Sequence, residues 1–259
     1  MSIKGCELKI KASQVKISII FDNICSSNDN KCTSLWGFSA YIQTPNHTIL
    51  FDTGSNGRVL LKNLKNKFLD INKIDTVFLS HAHWDHIGGL DSVIEVNPNI
   101  ELYLTNALSK NFIKDYQNQT DKVLLIEDKI TQLKDHIYSS GASKESLEQS
   151  MFIDTEDGII IIFGCAHSGV AKITKMANEF FNKDILLLVG GFHLANKSEE
   201  TILELIDVLN QTNTKYIAPS HCTGERAKDI FKKELKERFI EAEVGLDISF
   251  KDDKIITSL

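Results

Sequence analysis

The segment His81–His86 (His-Ala-His-Trp-Asp-His) holds the residues of this chain best suited to chemistry. Three imidazoles and one carboxylate within six positions are the side chains that bind first-row divalent metals. In an extended segment that follows a short apolar strand, residues two apart point the same way, so His81 and His83 can share one ion. Asp85 and His86 would then reach over the start of the following helix toward a second ion. The spacing predicts a metal site.

Three more histidines occur in a setting that repeats along the chain. His167, His193 and His221 each lie in a loop of small residues that follows a short apolar run. We predict that these runs are strands, at 159–163, 184–189 and 215–218. Ligands of layered α/β proteins gather where loops leave the carboxyl ends of strands. The three histidines are therefore expected to lie at the same edge as the first motif.

The elements that must hold these residues alternate between strand and helix. Val15, Ile17, Ile19 and Phe21 alternate with other residues as in a half-buried strand. An apolar stripe at every fourth position predicts a helix over 56–68. We also expect strands at 37–44, 48–51, 75–80, 101–104, 122–126 and 244–257, and helices near 106–116, 170–182, 198–210 and 225–237.

Several motifs together resemble those of one protein superfamily. A His-x-His-x-Asp-His sequence after an apolar strand is similar to the first metal motif of the metallo-β-lactamase superfamily. Further matching motifs are Trp36–Ser39, Phe51–Gly54, Glu148-Gln149, Gly164–His167, Gly190–Leu194 and Ser220–Gly224. The combination resembles the branch called 7,8-dihydropterin-6-methyl-4-(β-D-ribofuranosyl)aminobenzene-5′-phosphate synthase-like proteins, over roughly residues 18–224.

This resemblance implies an architecture. The expected fold is α/β: a four-layer αβ/βα sandwich of two mixed sheets flanked by helices, with the metals at one edge between the sheets. Residues 1–259 would form a single domain with a pocket-shaping insertion around 105–150. We interpret Leu133–Gln149, which is polar and poorly patterned, as a lid-like segment or a plain surface loop.

The resemblance also implies a ligand set of two divalent ions. Metal 1 would be held by His81, His83 and His167, and metal 2 by Asp85, His86 and His221. Zinc is the expected metal, with manganese or iron as alternatives. A histidine that binds a metal usually donates its other N–H to a carboxylate or carbonyl, and Asp52 is the candidate for that role.

The chain departs from the superfamily after strand 184–189, where relatives usually carry a bridging aspartate. Here the sequence reads Gly191-Phe192-His193 and contains no carboxylate. We expect His193 to bind metal 2, with a role as proton donor or phosphate contact as the alternative. Two glycines before it let the backbone pass close to the site. Asp85 and His193 are the candidate catalytic residues.

Other residues near these motifs are candidates for the substrate pocket. Trp84 can form an aromatic wall or simply pack, and Ser168 and Thr223 follow two of the ligand histidines. Cys165 and Cys222 also lie close to proposed ligands. Ligation by their thiolates is conceivable, but we interpret both as packing residues.

Composition limits the classes of function. The 259 residues are 42% hydrophobic and 25% charged, as in an ordinary globular protein. A net charge of −6 with no basic stripe argues against a nucleic-acid partner. We expect no signal peptide, no membrane span and, from five cysteines without disulfide density, a cytoplasmic protein. A small-molecule substrate is the expected partner, and a homodimer is left open.

The predicted function is that of a metal-dependent hydrolase that uses a metal-bound hydroxide on a small-molecule ester or lactone containing phosphate. The first alternative is the reaction of the family label, in which a dihydropterin-methyl donor releases pyrophosphate. A non-enzymatic metal-binding module is the second alternative. A redox di-iron protein is disfavoured, because His83 stands where that branch would have glutamate.

Overall fold

Two mixed β-sheets face each other in the computed structural model of this protein, which describes residues 9–25, 31–252 and 254–259. Cys6 lies outside these residues. The strands are β1 (Lys16–Phe21), β2 (Ser39–Gln43), β3 (Thr48–Phe51), β4 (Thr76–Phe78), β5 (Glu101–Thr105), β6 (Lys122–Ile126), β7 (Thr131–Lys134), β8 (Ile137–Ser139), β9 (Met151–Thr155), β10 (Gly158–Phe163), β11 (Ile185–Gly191), β12 (Tyr216–Ser220), β13 (Asp247–Lys251) and β14 (Lys254–Ser258).

The strand order differs between the two sheets. The first sheet has the order β14-β13-β1-β2-β3-β4-β5-β6, and its pairs from β3 to β6 are parallel. The second has the order β12-β11-β10-β9-β8-β7, and its parallel pairs join β10, β11 and β12. All the strands expected to carry ligands are thus in the parallel parts, where their carboxyl ends point the same way.

Helices cover the outer face of each sheet. They are α1 (Gly57–Asn66), α2 (Trp84–Ile87), α3 (Leu90–Val96), α4 (Lys110–Gln117), α5 (Val170–Phe181), α6 (Glu199–Gln211) and α7 (Glu225–Leu235). Side-chain oxygens of Asn56, Ser109 and Ser198 accept backbone N–H bonds at the starts of α1, α4 and α6, as N-caps do.

The alternation of side chains along β10 shows how the layers are held together. Ile160 and Ile162 belong to the apolar cluster between the two sheets. Ile159, Ile161 and Phe163 belong to the cluster beneath α5, α6 and α7. A strand buried on both faces is typical of a parallel sheet covered by helices. A third cluster joins the first sheet to α1, α3 and α4. The predicted four-layer αβ/βα sandwich is confirmed.

The segment 133–149 is only partly the lid-like segment or plain surface loop that we expected, with Lys144 and Glu145 exposed in a loop. Its first part completes β7 and forms β8, which pairs with β9 inside the second sheet. Its last part is buried: Glu148 is 3% exposed and Gln149 is 0% exposed. Glu148 and Gln149 are buried because they form hydrogen bonds with other segments. The periodicity of the sequence does not indicate such partners.

No helix in the described ranges has both the length and the apolar character needed to cross a bilayer.

Candidate metal centre

The ends of four strands deliver the candidate residues to one edge of the molecule. In the first sheet, Asp52 follows β3 and His81 comes three residues after β4. In the second sheet, His167 lies four residues after β10, and His221 directly follows β12. The site is therefore built from both sheets and requires their packing.

The first cluster contains His81, His83 and His167. Nε2 of His81 lies 3.0 Å from Nδ1 of His83. The ring centroid of His167 is 5.0 Å from each of the other two rings. His81 is buried while His83 is exposed, so this cluster opens to solvent on one side. The three predicted ligands of metal 1 are brought together.

The second cluster contains Asp85, His86 and His221. Oδ2 of Asp85 lies 3.3 Å from Nε2 of His221 and 3.9 Å from Nε2 of His86. All three residues are buried. The indole of Trp36 donates a hydrogen bond of 2.8 Å to the same Oδ2 atom and fixes the carboxylate. The predicted ligands of metal 2 also converge.

Asp52 orients the histidines of both clusters through a buried carboxylate. It accepts hydrogen bonds of 2.7 Å from the backbone N–H and from the hydroxyl of Ser80. It also lies 2.7 Å from Nδ1 of His86, which leaves Nε2 of that ring for the second cluster. Oγ of Ser80 is 2.8 Å from Nδ1 of His81, so the network reaches the first cluster. The geometry matches the orienting role predicted for Asp52.

His221 is oriented by a loop that the sequence did not single out. Oδ1 of Asn23 lies 3.1 Å from Nδ1 of His221, and the amide of Asn23 donates to the His221 carbonyl. Asp22 accepts the backbone N–H of His221 at 3.0 Å. This leaves Nε2 of His221 as the ring nitrogen that faces Asp85.

Glu148 holds the loop that carries His167. Its carboxylate accepts the backbone N–H groups of Cys165, Ala166 and His167 at 2.8, 2.8 and 2.5 Å. The side-chain amide of the next residue, Gln149, donates to the carbonyl of Leu79 at 2.9 Å and so joins this loop to the segment that precedes His81. The sequence marked Glu148-Gln149 as a motif but gave no role, because their partners are distant in the chain.

Four residues at this edge have a left-handed backbone conformation. Asp52, Ala166, His193 and His221 all have φ between 48 and 55°. Residues other than glycine are uncommon in this left-handed region and persist where the surrounding structure holds them, often at functional sites.

The chemistry of the two donor sets fits divalent metals. Nε2 of His167 is buried and has no hydrogen-bond partner in the described part of the chain, as expected of a nitrogen meant for an ion. Burial and the neighbouring His193 lower the pKa of His167 to about 4, and burial lowers the pKa of His81 well below its usual value. Neutral imidazole is the form that binds metal.

The charged state of the second cluster is set by its neighbours. Burial opposes the charged form of His86, but the Asp52 carboxylate outweighs it and raises the pKa of His86. Burial would raise the pKa of Asp85, yet its contact with His221 and the nearby His86 lower it overall. Asp85 is thus a carboxylate, as a metal ligand must be.

His193, which we expected to bind metal 2 or to act as a proton donor or phosphate contact, lies beside His167 of the first cluster. Its ring centroid is 4.5 Å from that of His167, and its side chain is exposed. A hydrogen bond with Cys222 raises the pKa of His193. The turn after Gly191 points the ring to this side, because His193 has a left-handed backbone with φ of 52°. A ring nitrogen of His193 also lies within 4.8 Å of Sγ of Cys165 and Cys222.

The two thiols close to the histidines form a pair. Sγ of Cys165 lies 3.2 Å from Nε2 of His86. The thiol of Cys222 donates to the carbonyl oxygen of Cys165 at 3.7 Å. Both side chains therefore lie beside the histidine clusters.

The predicted pocket residues have different surroundings. Trp84 begins α2 and is 63% exposed, so it is free to contact a ligand. Ser168 lines a cleft of about 410 Å³ with His167, His193 and Lys197. Thr223 is fully buried; its hydroxyl donates to the carbonyl of Ser220 at 2.6 Å and accepts the N–H of Phe192. The structure therefore does not bring Thr223 to the pocket, because these bonds turn it inward.

Comparisons with known proteins agree with this architecture. A family model described as the metallo-beta-lactamase superfamily matches residues 37–171. The chain is 28% identical to a 7,8-dihydropterin-6-methyl-4-(beta-D-ribofuranosyl)-aminobenzene-5'-phosphate synthase from Methanocaldococcus jannaschii, over 93% of this chain and 98% of that protein. It is 29% identical to an uncharacterized protein of the same organism, over 88% of this chain and 98% of that protein.

A solved structure is similar along nearly the whole chain. Tm1679, described as a metal-dependent hydrolase of the beta-lactamase superfamily, superposes with a TM-score of 0.78 at 27% identity. The superposition covers 92% of this chain and all of the other.

Proposed function

Because this chain belongs to the metallo-beta-lactamase superfamily, we propose that it is a metal-dependent hydrolase of a small ester or lactone that contains phosphate. Most members of this superfamily are metal-dependent hydrolases that bind divalent ions, commonly zinc. Two divalent ions, with zinc favoured, are part of the proposal.

One observation carries the proposal. Six side chains from the ends of strands in both sheets converge in two adjoining clusters, and the ring centroids of His81 and His86, one from each cluster, are 4.2 Å apart. Ions held there supply a water of lowered pKa and a Lewis acid for the group under attack. A purely structural site would need only one closed cluster, whereas the first cluster here opens to solvent at His83.

The protein's own groups then bind and orient the substrate. In this proposal Asp85, whose Oδ2 atom accepts the indole N–H of Trp36, would hold an ion and accept a proton from the attacking group. His193 lies at the open side of the first cluster, and its raised pKa favours the protonated form that can donate to a leaving oxygen. A ring nitrogen of His193 lies within 4.8 Å of Sγ of Cys222, which supports this placement of the ring.

The surroundings of His193 favour an anionic substrate with a flat ring. Lys197 lines the same cleft as His193 and offers an ammonium group to a phosphate. A neighbouring cavity of about 280 Å³ is lined by Trp36, His193, Lys197 and Cys222. The half-exposed indole of Trp36 offers a stacking surface there.

A second candidate is a transferase that joins a dihydropterin-methyl donor to an aminobenzene nucleophile and releases pyrophosphate. The relative named for synthase activity matches 93% of this chain, so its reaction deserves a direct test. The same cleft would serve, since Lys197 can hold phosphate and Trp36 can stack on a pterin ring.

The test combines metal analysis with a substrate panel. Purified protein should contain one to two divalent ions per chain by elemental mass spectrometry. It should hydrolyse at least one of a phosphomonoester, a phosphodiester and a lactone, with activity lost on chelation and restored by zinc. Release of pyrophosphate from a pterin-methyl pyrophosphate donor in the presence of an aminobenzene would favour the second candidate.

Matched variants separate the site from the rest of the protein. His81→Ala and His167→Ala should each empty the first cluster and abolish turnover, because each removes one of three nitrogens. His47→Ala, at a histidine that contacts Asp75 away from the site, should keep both metal and activity. Protein that binds no metal, or that turns over equally well in chelator, would contradict the proposal.

A further inference from the structure

Cys165 occupies a position between the two histidine clusters. Its Sγ atom lies within 4.8 Å of ligand atoms of His81 and His167, and also within 4.8 Å of ligand atoms of His86 and His221. The side chain is only 4% exposed. It is thus the one side chain that both of these groups contain, among the residues that the structure describes.

The charges of the two clusters leave a place for an anion. The first cluster has three imidazoles and no acid, and the second has the single carboxylate of Asp85. The neighbouring acids are engaged elsewhere: Asp52 binds Ser80 and His86, and Glu148 binds three backbone N–H groups. Two divalent ions held by five imidazoles and one carboxylate leave an excess of positive charge, which is costly beside the buried second cluster. A thiolate beside both clusters would supply it.

The backbone at Gly191 passes close to the His167 loop and to the Cys222 thiol. A Cβ atom at this position would lie 2.4 Å from the carbonyl oxygen of Gly164, 2.7 Å from Sγ of Cys222 and 3.3 Å from Cδ2 of His221. A side chain at 191 would therefore collide with this loop and displace Cys222 from its position next to the second cluster.

We propose that Cys165 is a thiolate ligand shared by the two metal positions, and that Cys222 supports it by a hydrogen bond. The inference rests on the proposed function, because it assumes that both clusters bind metal. On binding, the Cys165 S–H bond breaks, the sulfur keeps the electron pair as its bond to metal, and the proton goes to solvent. A soft sulfur ligand favours zinc or iron over manganese and magnesium.

The first experiment uses the wild-type protein. Reduced, metal-free protein is loaded anaerobically with cobalt(II), which reports sulfur ligation by a thiolate-to-cobalt charge-transfer band in the near ultraviolet. Zinc-loaded protein is examined by X-ray absorption. We expect the band at both the first and the second equivalent of cobalt, and a sulfur shell at about 2.3 Å from zinc.

Three serine variants assign the sulfur. Cys165→Ser should lose the band and weaken metal binding by at least about 10-fold. Cys222→Ser should keep the band, because its sulfur supports the ligand without binding metal. Cys32→Ser, a buried thiol outside the site, should behave as wild type. Circular dichroism of the metal-free variants verifies the fold.

The outcomes separate this inference from the proposed function. Two bound ions with no sulfur shell would refute the role of Cys165 and leave the hydrolase proposal standing. A protein that binds no cobalt or zinc would refute both. A band that is lost in Cys222→Ser and kept in Cys165→Ser would identify Cys222 as the sulfur ligand and would overturn the proposal. If Cys165→Ser does not fold, the Cys222→Ser variant still tests the proposal. A sulfur shell around zinc in Cys222→Ser would support Cys165 as the ligand, and the absence of a sulfur shell would overturn the proposal.

Discussion

The hydrogen bond between Asp52 and His86 decides which nitrogen of that ring faces the second cluster. The same carboxylate binds Ser80, whose hydroxyl contacts His81, so one buried acid orients ligands of both clusters. Asn23 plays the equivalent part for His221. At the scale of single residues, the site depends on the groups behind the ligands as much as on the ligands themselves.

Removal of the Asp52 carboxylate should weaken metal binding without removing a ligand. In Asp52→Ala, Nδ1 of His86 and the N–H and hydroxyl of Ser80 lose their partner. The ring of His86, and the ring of His81 that contacts the Ser80 hydroxyl, can then turn. We expect zinc affinity to fall about 10–100-fold, measured by competition with a chromophoric chelator. Asp75→Asn changes an aspartate that also accepts a backbone N–H but lies away from the site, and it should keep wild-type affinity. Equal affinity in Asp52→Ala would show that the carboxylate has no orienting role.

The low pKa of His167 should make the metal-free protein less stable in acid. Its pKa of about 4 in the folded protein lies below the ordinary value of 6.5. Between these two pH values, the imidazole is protonated in the unfolded chain and neutral in the folded chain. The contribution of neutral His167 is present above about pH 6.5 and is lost as pH falls toward 4. His167→Gln lacks this titrating group. Its free energy of unfolding should therefore depend less on pH over this interval, and the slope should correspond to up to about one proton fewer than in the wild type. Urea unfolding at several pH values measures the difference, and parallel slopes would contradict the assignment.

Two loops meet at the level of secondary-structure elements to place His167. The loop between β8 and β9 carries Glu148, and the loop after β10 begins with Gly164 and carries His167. Three backbone N–H groups of the second loop donate to the carboxylate of Glu148. Polar residues that looked like a surface segment therefore clamp a ligand loop from behind.

Glu148→Gln should loosen this clamp. The amide offers one acceptor oxygen and turns an NH₂ group toward an N–H donor that Glu148 now satisfies. We expect unfolding free energy to fall by about 1–3 kcal/mol and zinc to leave the first cluster more readily. Urea titration and metal analysis after dialysis measure the two effects. Glu145→Gln, in the same loop with an exposed ion pair to Lys172, should change stability by less than about 1 kcal/mol. Comparable losses in both variants would rule out a specific clamp.

The whole molecule is a pair of sheets that meet at the metal edge. The first sheet supplies His81–His86 and the second supplies His167 and His221. Between them, an apolar cluster built from both sheets holds the layers together along their length. Ions at the edge would therefore join the two halves of the sandwich by coordinate bonds as well as by packing.

Removal of the metal by a chelator should lower the Tm of the protein without unfolding it. An ion that binds only the native state adds about 4 kcal/mol when its free concentration is about 1,000 times its Kd. We expect a clear fall in Tm on removal of zinc, reversed by its return, and faster amide exchange in the loops after β4, β10 and β12. Strand β14, at the edge of the first sheet farthest along the strand order from β4, should exchange at the same rate in both states. A Tm that does not respond to chelator would show that the edge does not bind metal.

The sequence determined most of the fold and the membership of both clusters. Apolar runs of strand length, each ending in small residues and a histidine, placed His81, His167 and His221 at the carboxyl ends of strands. Since parallel strands end at the same edge, convergence followed from local pattern alone. The His-x-His-x-Asp-His motif likewise contained four ligand candidates in one short segment.

Only the tertiary structure decided which side chains stand behind and between these residues. Trp36 reaches Asp85 across 49 positions, and Cys165 reaches His86 across 79. His193 turned out to lie beside the first cluster, and Thr223 turned inward. Such contacts depend on how two sheets and their loops pack, and the polar segment near Glu148 has no period that reports its partners. Sequence pattern fixes where a strand ends, but the direction of each side chain beyond that end is set by long-range contacts.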